Sequence, residues 1–371
     1  MKRVVEIVGR MERAGQETFL MNLLRSYDPS KYEIWFSVDT EQIGAYESEI
    51  LELGGKIWHN PYKPGLRNIF NYLRAFKHFL KECGPFDVAH CHVFYFGGFM
   101  LSVARQVKVP VRIMHSHSTG DVKGNSLIRK LYRKLCLFLI NKNATHKVAC
   151  GKEAYHALFK QDCKNQDFIL NNGILMNLFN HGIEDKEKKR QSLSINDSTV
   201  VVINVARFFE VKNHEKIVSV FESYHNRINS DSVLLLVGDG ERLEIIKELV
   251  SEKGLSKSIF FLGQRDDIPS LLNASDVLLM PSLFEGLPVS LVEAQAAGLP
   301  CIISKTITNE VDMGMGLIRF LDINDPDEIW AHGIEEMRAI TRPPFSVRCE
   351  RIDKAGYSIE STWKKISKIY G

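Results

Sequence analysis

Two glutamates stand in a stretch that is otherwise small or apolar: Glu285 and Glu293 in MPSLFEGLPVSLVEAQAAGLP, Met280 to Pro300. Pro288 suits the first turn of a helix, where its missing N–H is not needed. Gly298 suits the position just past the helix end, and Pro300 stops the helix. FEGLP therefore reads as a strand-to-helix turn, and the amides after Gly286 together with the helix dipole favour an anion such as phosphate. Ser290, Glu293 and Ala297 share one face by i, i+3, i+4 spacing, while Val289, Leu291, Val292 and Ala296 cover the others. A carboxylate on so apolar a helix needs a hydrogen-bond donor such as a ribose hydroxyl; otherwise its burial costs several kcal/mol, roughly. The alternative is a solvated glutamate near a helix start, helped by the dipole. Two histidine pairs offer a second chemistry: AHCH (His90, His92) and MHSH (His115, His117). Period two puts both members of a pair on one strand face. A metal reading is weak, because no carboxylate stands beside them at ligand spacing, and a structural role for each histidine stays open.

Residues like these need strands to present them. RVVEIVG, YEIWFSVDT, FDVAHCH and VRIMHSH read as strands, with QETFLMNLLRSY and IFNYLRAFKHFLKECG as amphipathic helices between them. That is a βαβ series, hence a parallel sheet covered on both faces. After NGILMNLFN and the charged, solvated stretch EDKEKKRQS the pattern restarts: TVVINVARF, SVLLLVGDG, SIFFLGQ, ASDVLLMPS and LPCIIS are strands of a second sheet. With 371 residues, two domains are expected. The first spans about 1–175, and the second spans 176–354, with a hinge near 170–180. YSIESTWKKISKIYG is a closing amphipathic helix. Turns at the carboxyl ends of parallel strands are where such sheets bind ligands.

A formal net charge of +3 demands no nucleic-acid partner. Seven scattered cysteines without a CxxC pair fit reduced thiols in a cytoplasm better than a disulfide scaffold or zinc site. MKRVVEIVGR carries no long apolar core, so no signal peptide is expected there.

EGLPVSLVE resembles the E-x7-E motif of retaining GT-B glycosyltransferases, specifically glycosyltransferase family four. NVARFFEVKNHEKIV is similar to the family's R-x4-K strand and loop, and LLLVGDGE, FLGQRDDIPSLLNASDVLLMPS and LNNGI also resemble family segments. RAGQETFLMNLL resembles the family's GGAE loop, with Ala14 in place of its first glycine. The resemblance implies an α/β fold of two Rossmann-like parallel-sheet domains facing a central cleft, with the last helix, about 355–371, packing back on the first domain. It implies a hexosyltransferase that takes a sugar from a nucleotide sugar, most simply a UDP-sugar, and gives it to a saccharide or lipid-linked saccharide. Arg207 and Lys212 then neutralise the diphosphate, Glu293 meets the ribose, and Glu285 lies near the donor sugar. Gly286 and Leu287 offer backbone amides, Arg265 is a candidate at the base, and Gly15 allows close approach of a phosphate. His117, or else His115, stands near the sugar. Without a D-x-D motif before the site, metal-independent chemistry is expected, with no cofactor.

The segment Lys123 to Lys147 holds seven Lys or Arg and no acid. Leu127, Leu131, Leu135, Phe138 and Leu139 form an apolar stripe at helical spacing. Either that stripe faces the core with a solvated basic face, or the helix docks on an anionic membrane. Two rival activities are open. Asp39, ending YEIWFSVDT, stands where an oxidoreductase would meet a ribose, although GRMERAGQE lacks G-x-G-x-x-G. A sugar-nucleotide epimerase of the same fold is the nearer rival.

Overall fold

The computed structural model describes residues 1–65, 67–118, 126–161 and 169–371. The chain divides into two compact units. One comprises Met1–Gly173 together with Ile359–Gly371, and the other Ile174–Ser358.

The first unit is built on β1 (Lys2–Ile7), β2 (Tyr32–Val38), β3 (Lys56–His59), β4 (Val88–Cys91), β5 (Val111–Ser116) and β6 (His146–Ala149). All pair in parallel, in the order β3-β2-β1-β4-β5-β6. The second unit repeats the plan with β7 (Val200–Val205), β8 (Ser232–Val237), β9 (Ile259–Gly263), β10 (Val277–Met280), β11 (Cys301–Ser304) and β12 (Ile318–Leu321), in the order β12-β11-β10-β7-β8-β9. The central strands are near-continuous apolar runs because helices cover both faces: Val4, Val5 and Ile7 in β1 and Val201, Val202 and Ile203 in β7 are fully buried. In each unit the chain reverses its direction of travel across the sheet once, between β1 and β4 and again between β7 and β10. Strand tops diverge at such a switch point and leave a crevice for a ligand.

Two local readings are corrected here. EDKEKKRQS is not a loose solvated stretch but part of the helix Ile183–Ser192. Its Arg190 is buried, donating to Asp276 Oδ2 at 2.7 Å and to the carbonyls of Ala274, Asp197 and Thr199. Charge-assisted bonds offset the desolvation of that arginine; Lys186 and Lys189 are half-buried in ion pairs with Asp276 and Asp267, and the acids of the stretch stay at the surface. In the basic segment the helix is Leu127–Asn143, and Lys123–Asn125 lie outside the described residues. Its buried residues are Cys136, Ile140 and Asn143. The apolar stripe does not face a core: Leu127 is 79%, Leu131 68% and Phe138 60% exposed. Asn143 explains the choice of face, because its side-chain amide donates to Ser102 Oγ at 2.8 Å on the neighbouring helix Gly97–Gln106.

Candidate active site

In the second unit, Val277 and Leu278 of β10 lie beside Val202 and Ile203 of β7, so the loops leaving the two strands meet. Past β7 come Arg207 and a short 3-10 turn, Glu210–Lys212. Past β10 comes the turn that holds Glu285. The loops are stitched by Leu283 N–H to the Val211 carbonyl at 2.8 Å and by the Asn213 amide to the Pro281 carbonyl at 3.1 Å. Lys212 Nζ consequently pairs with Glu285, whose Oε1 also accepts from Ser282 Oγ at 3.1 Å. Both side chains are largely buried, 17% and 11% exposed. Arg207 is exposed, lies over the Phe209 ring at 4.6 Å, and has no ion-pair partner among the described residues. A lysine held by one carboxylate and a free guanidinium beside it form an anion site with charge to spare.

Gly286 and Leu287 lead into the helix Val289–Ala296. Pro288 caps this helix, one residue before the first-turn position the sequence suggested. The end is as expected: Gly298 takes φ +70°, its N–H bonds the Gln295 carbonyl, and Leu299 N–H bonds that of Ala294. Glu293 projects from this helix with no side-chain hydrogen bond among the described residues. Burial pushes its carboxyl up to about 7. A half-buried acid without a protein donor among the described residues is disfavoured in its ionised form, and two adjacent hydroxyls would relieve it. Arg265, after β9, grips Asp267 through both oxygens at 2.8 and 2.7 Å. Lys189 shares Asp267 at 2.7 Å, so Arg265 is a fixed wall more than a mobile cation.

The first unit supplies a second constellation at its own switch point. Glu6 on β1 is the register partner of His90 on β4, and β4 in turn lies beside β5. His90, His92, His115 and His117 therefore converge, with ring centroids 3.9 to 5.2 Å apart. Glu6 Oε2 accepts from His92 Nε2 at 2.8 Å and Oε1 from the Tyr370 hydroxyl at 2.9 Å. His92 Nδ1 meets His117 Nε2 at 2.8 Å, and His90 links Tyr370 (2.8 Å) to His115 (3.1 Å). Burial alone would raise Glu6, yet His90 and His92 hold its carboxyl well below the usual carboxylate range. Burial and the neighbouring His90 depress His92 to about 4. Burial also holds His115 and His117 far below the ordinary histidine value, assisted by the other imidazoles.

His90, His92 and His115 bring ligand atoms within 4.8 Å of one another, a spacing a metal ion can use. The nitrogens that face each other are already engaged in the hydrogen bonds above, with Tyr370 and Glu6 completing the set, while His115 Nε2 and His117 Nδ1 have no partner among the described residues. Glu6 is the carboxylate that the sequence reading missed. Its available signal was an acid inside the apolar strand RVVEIVG.

Beside this network lies a cavity of about 730 Å³, at the carboxyl ends of the strands, lined among others by Gly9, Asp39, His92, Tyr95, Arg129 and Tyr132. Asp39 accepts from the buried Tyr72 hydroxyl, and burial pushes it up to about 6. Gly15 opens the helix Gly15–Arg25, and a Cβ there would meet nothing within 4 Å, so packing does not require the glycine.

Residues 185–329 match the family described as Glycosyl transferases group 1. A Bacillus subtilis (strain 168) protein named as a glycosyltransferase, EpsF, is 36% identical over all of this chain and 96% of its own length. An Escherichia coli UDP-Gal:alpha-D-GlcNAc-diphosphoundecaprenol alpha-1,3-galactosyltransferase is 30% identical, over 82% of this chain and 80% of that one. The Anabaena HepE structure with UDP and glucose superposes with a TM-score of 0.79 at 17% identity, covering 99% of both chains. That likeness extends the GT-B architecture, two six-stranded parallel sheets with helices, to this chain.

Proposed function

This chain belongs to the group 1 glycosyl transferases, and we propose that it moves a hexose from a UDP-sugar to a lipid-linked or free saccharide, with retention at the anomeric carbon. Transfer of a glycosyl group is the family's activity, in the synthesis of polysaccharides or glycolipids. The single observation that carries the donor reading is the half-buried Glu293, without a protein hydrogen bond among the described residues, on the helix that follows the Lys212–Glu285 pair and the free Arg207. In this reading the ribose hydroxyls donate to Glu293, while Arg207 and Lys212 meet the diphosphate. Glu285, released from part of its hold on Lys212, accepts from a sugar hydroxyl. As the bond to the anomeric carbon breaks, charge grows on the leaving phosphate. Two cations and the helix start at Gly286 and Leu287 stabilise that charge more than they stabilise the ground state.

We take the chemistry to be metal-independent, with Arg207 and Lys212 in the place of a divalent ion. The sugar stays on one face because the acceptor hydroxyl attacks from the side of the departing phosphate, which takes up its proton. Arg265, held edge-on by Asp267, is the candidate at the base. The UDP choice is supported by the donor named for the Escherichia coli relative and by the UDP held in the Anabaena structures. The cavity beside Asp39 and Tyr132 takes the acceptor, and His117, with His115 behind it, faces the transferred sugar. Neither the epimerase nor the oxidoreductase reading gains from the relatives, whose names state transfer.

The exposed face of the helix Leu127–Asn143 supports a location at the cytoplasmic surface of an anionic membrane. Ile128 and Arg129 line the acceptor cavity and also belong to that helix, so a lipid-linked acceptor would reach the cavity along it. Among the described residues no helix is long and apolar enough to cross a membrane.

The test is donor binding. Isothermal titration with UDP and UDP-hexoses should give a dissociation constant at least about tenfold weaker in Glu293→Ala, the loss of one or two charge-assisted hydrogen bonds. An unchanged constant removes the ribose role of Glu293.

A further inference from the structure

The buried network of the first unit has a direction. An ionised carboxylate can only accept hydrogen bonds, so whatever touches Glu6 must donate. His92 Nε2, at 2.8 Å from Glu6 Oε2, therefore carries a proton. A neutral imidazole carries one proton, so His92 Nδ1 is a lone pair. The nitrogen that meets it at 2.8 Å, His117 Nε2, must then be the donor. That places the proton of His117 on Nε2 and leaves Nδ1 as an acceptor. His117 Nδ1 is buried and has no partner among the described residues. A second branch leaves Glu6 through the Tyr370 hydroxyl and His90 and ends at His115, whose Nε2 is likewise buried without a partner among the described residues.

We infer that Glu6 is a positioning residue that acts through His92 to fix the tautomer of His117, so that His117 presents a bare Nδ1 lone pair to a hydroxyl donor. This rests on the reading that His117 faces the transferred sugar, and it names what kind of group meets it: an O–H that donates, not a carbonyl, phosphate or ring oxygen. An unpartnered buried acceptor costs free energy until a donor arrives, so the site favours a hydroxylated ligand over a deoxy one at that position. Without the carboxylate, His92 would be free to adopt either tautomer, and half of the His117 rings could turn a proton toward the ligand, where it finds no acceptor. Packing supports the orientation: Phe19 lies against both His115 and His117, at 5.6 and 5.7 Å between centroids, and limits rotation of either ring. Among the described residues the groups facing His117 are thus His92, His115 and Phe19, with Glu6 one link further on. Burial and the neighbouring histidines keep His92 and His117 neutral at pH 7, as the chain of donors requires.

The test reads the proton directly. Nitrogen-15 NMR of the full-length protein labelled at histidine, with His117 assigned by comparison with His117→Gln, should show a neutral His117 protonated at Nε2 at pH 7.5. A proton on Nδ1, or an imidazolium, overturns the inference whatever the activity. Tyr370→Phe removes the hydroxyl of the second branch only, where His90 Nδ1 still lies 3.3 Å from Glu6 Oε2, and should leave the His117 tautomer unchanged; a change there also overturns it. In Glu6→Leu, provided near-ultraviolet circular dichroism shows native packing, the His117 signal should become a tautomer mixture. Its kcat should fall by about tenfold or more with donor KM moved much less, since a positioned acceptor is lost and not the donor site. Should Glu6→Leu not fold, the wild type and Tyr370→Phe still decide. The function reading fails separately: an Nε2–H tautomer together with full transfer activity in His117→Gln keeps the relay and removes the sugar contact.

Discussion

At the scale of single residues, the second unit holds an acid poised to change charge when a ligand arrives. Glu293 sits at about 7 in the folded chain against an ordinary 4.5. A raised carboxyl contributes most to stability below its unfolded value, and that contribution is lost as pH climbs through the folded one. Unfolding midpoints should therefore fall between about pH 4.5 and 7 by an amount on the order of 1–3 kcal/mol, and Glu293→Gln should flatten the slope. Because bound hydroxyls favour the ionised form, UDP binding at pH 6.5 should release a proton. Calorimetry in buffers of different ionisation enthalpy measures it, and Glu293→Gln should show none. Lys212→Ala is the complementary case. It removes a cation from the leaving group and strands Glu285, so release of nucleoside diphosphate should slow by about a hundredfold; wild-type turnover would exclude the role. Glu285 and Glu293 were legible as neighbours because one short stretch carries the turn, the helix and both acids, whereas Lys212 stands 73 positions from Glu285 and entered through the resemblance. Glu6 and Tyr370 were not, since they stand 364 positions apart and meet only through the fold.

At the scale of elements, the strands were readable from their apolar runs, and the helix ends from Pro288 and Gly298, to within a residue. Orientation was harder. Spacing found the stripe Leu127–Leu131–Leu135–Phe138, but spacing says only that residues share a face, not which face the protein covers. The buried side is set by Cys136, Ile140 and Asn143 against a neighbouring helix, and one hydrogen-bonded asparagine outranked several leucines. The helix Ile183–Ser192 was hidden for the opposite reason: its inward face is made of arginine and lysine in ion pairs, so it shows no apolar period. The exposed stripe makes a direct prediction. In flotation, vesicles with about a third anionic lipid should carry the protein up, neutral vesicles should carry much less, and Leu131→Ser with Leu135→Ser should abolish the difference. Each basic side chain near such a surface contributes about 1 kcal/mol, so added salt should weaken the association. Equal recovery with neutral lipid would remove the electrostatic part.

At the scale of the molecule, the same doubly wound plan occurs twice, and each copy places its chemistry where its sheet reverses: Glu6 against His90 and His92 at one switch point, Lys212 against Glu285 at the other. That recurrence was legible as a restarted strand pattern. The contents of the two crevices were not, because strand order decides which loops become neighbours. The helix Ile359–Tyr370 belongs to the first unit and holds it through Trp363 Nε1 donating to Ser26 Oγ at 2.9 Å, Lys365 to the Ile169 carbonyl, and Tyr370 to Glu6. Truncation after Ser358 should therefore accelerate amide exchange in β1 and β4 by orders of magnitude while leaving β7 and β10 protected, as hydrogen–deuterium exchange would record.

The same closing helix sets an order of events during synthesis. The ribosome delivers everything needed for the second unit in one continuous run, Ile174 to Ser358, whereas the first unit waits for residues made after that run, Ile359 to Gly371. Until then the half-built first sheet lacks the phenol that donates to Glu6 Oε1, leaving that carboxylate to the imidazoles of His92 and His90. The nascent protein would thus hold a finished second unit before the hydrogen bonds around Glu6 are complete.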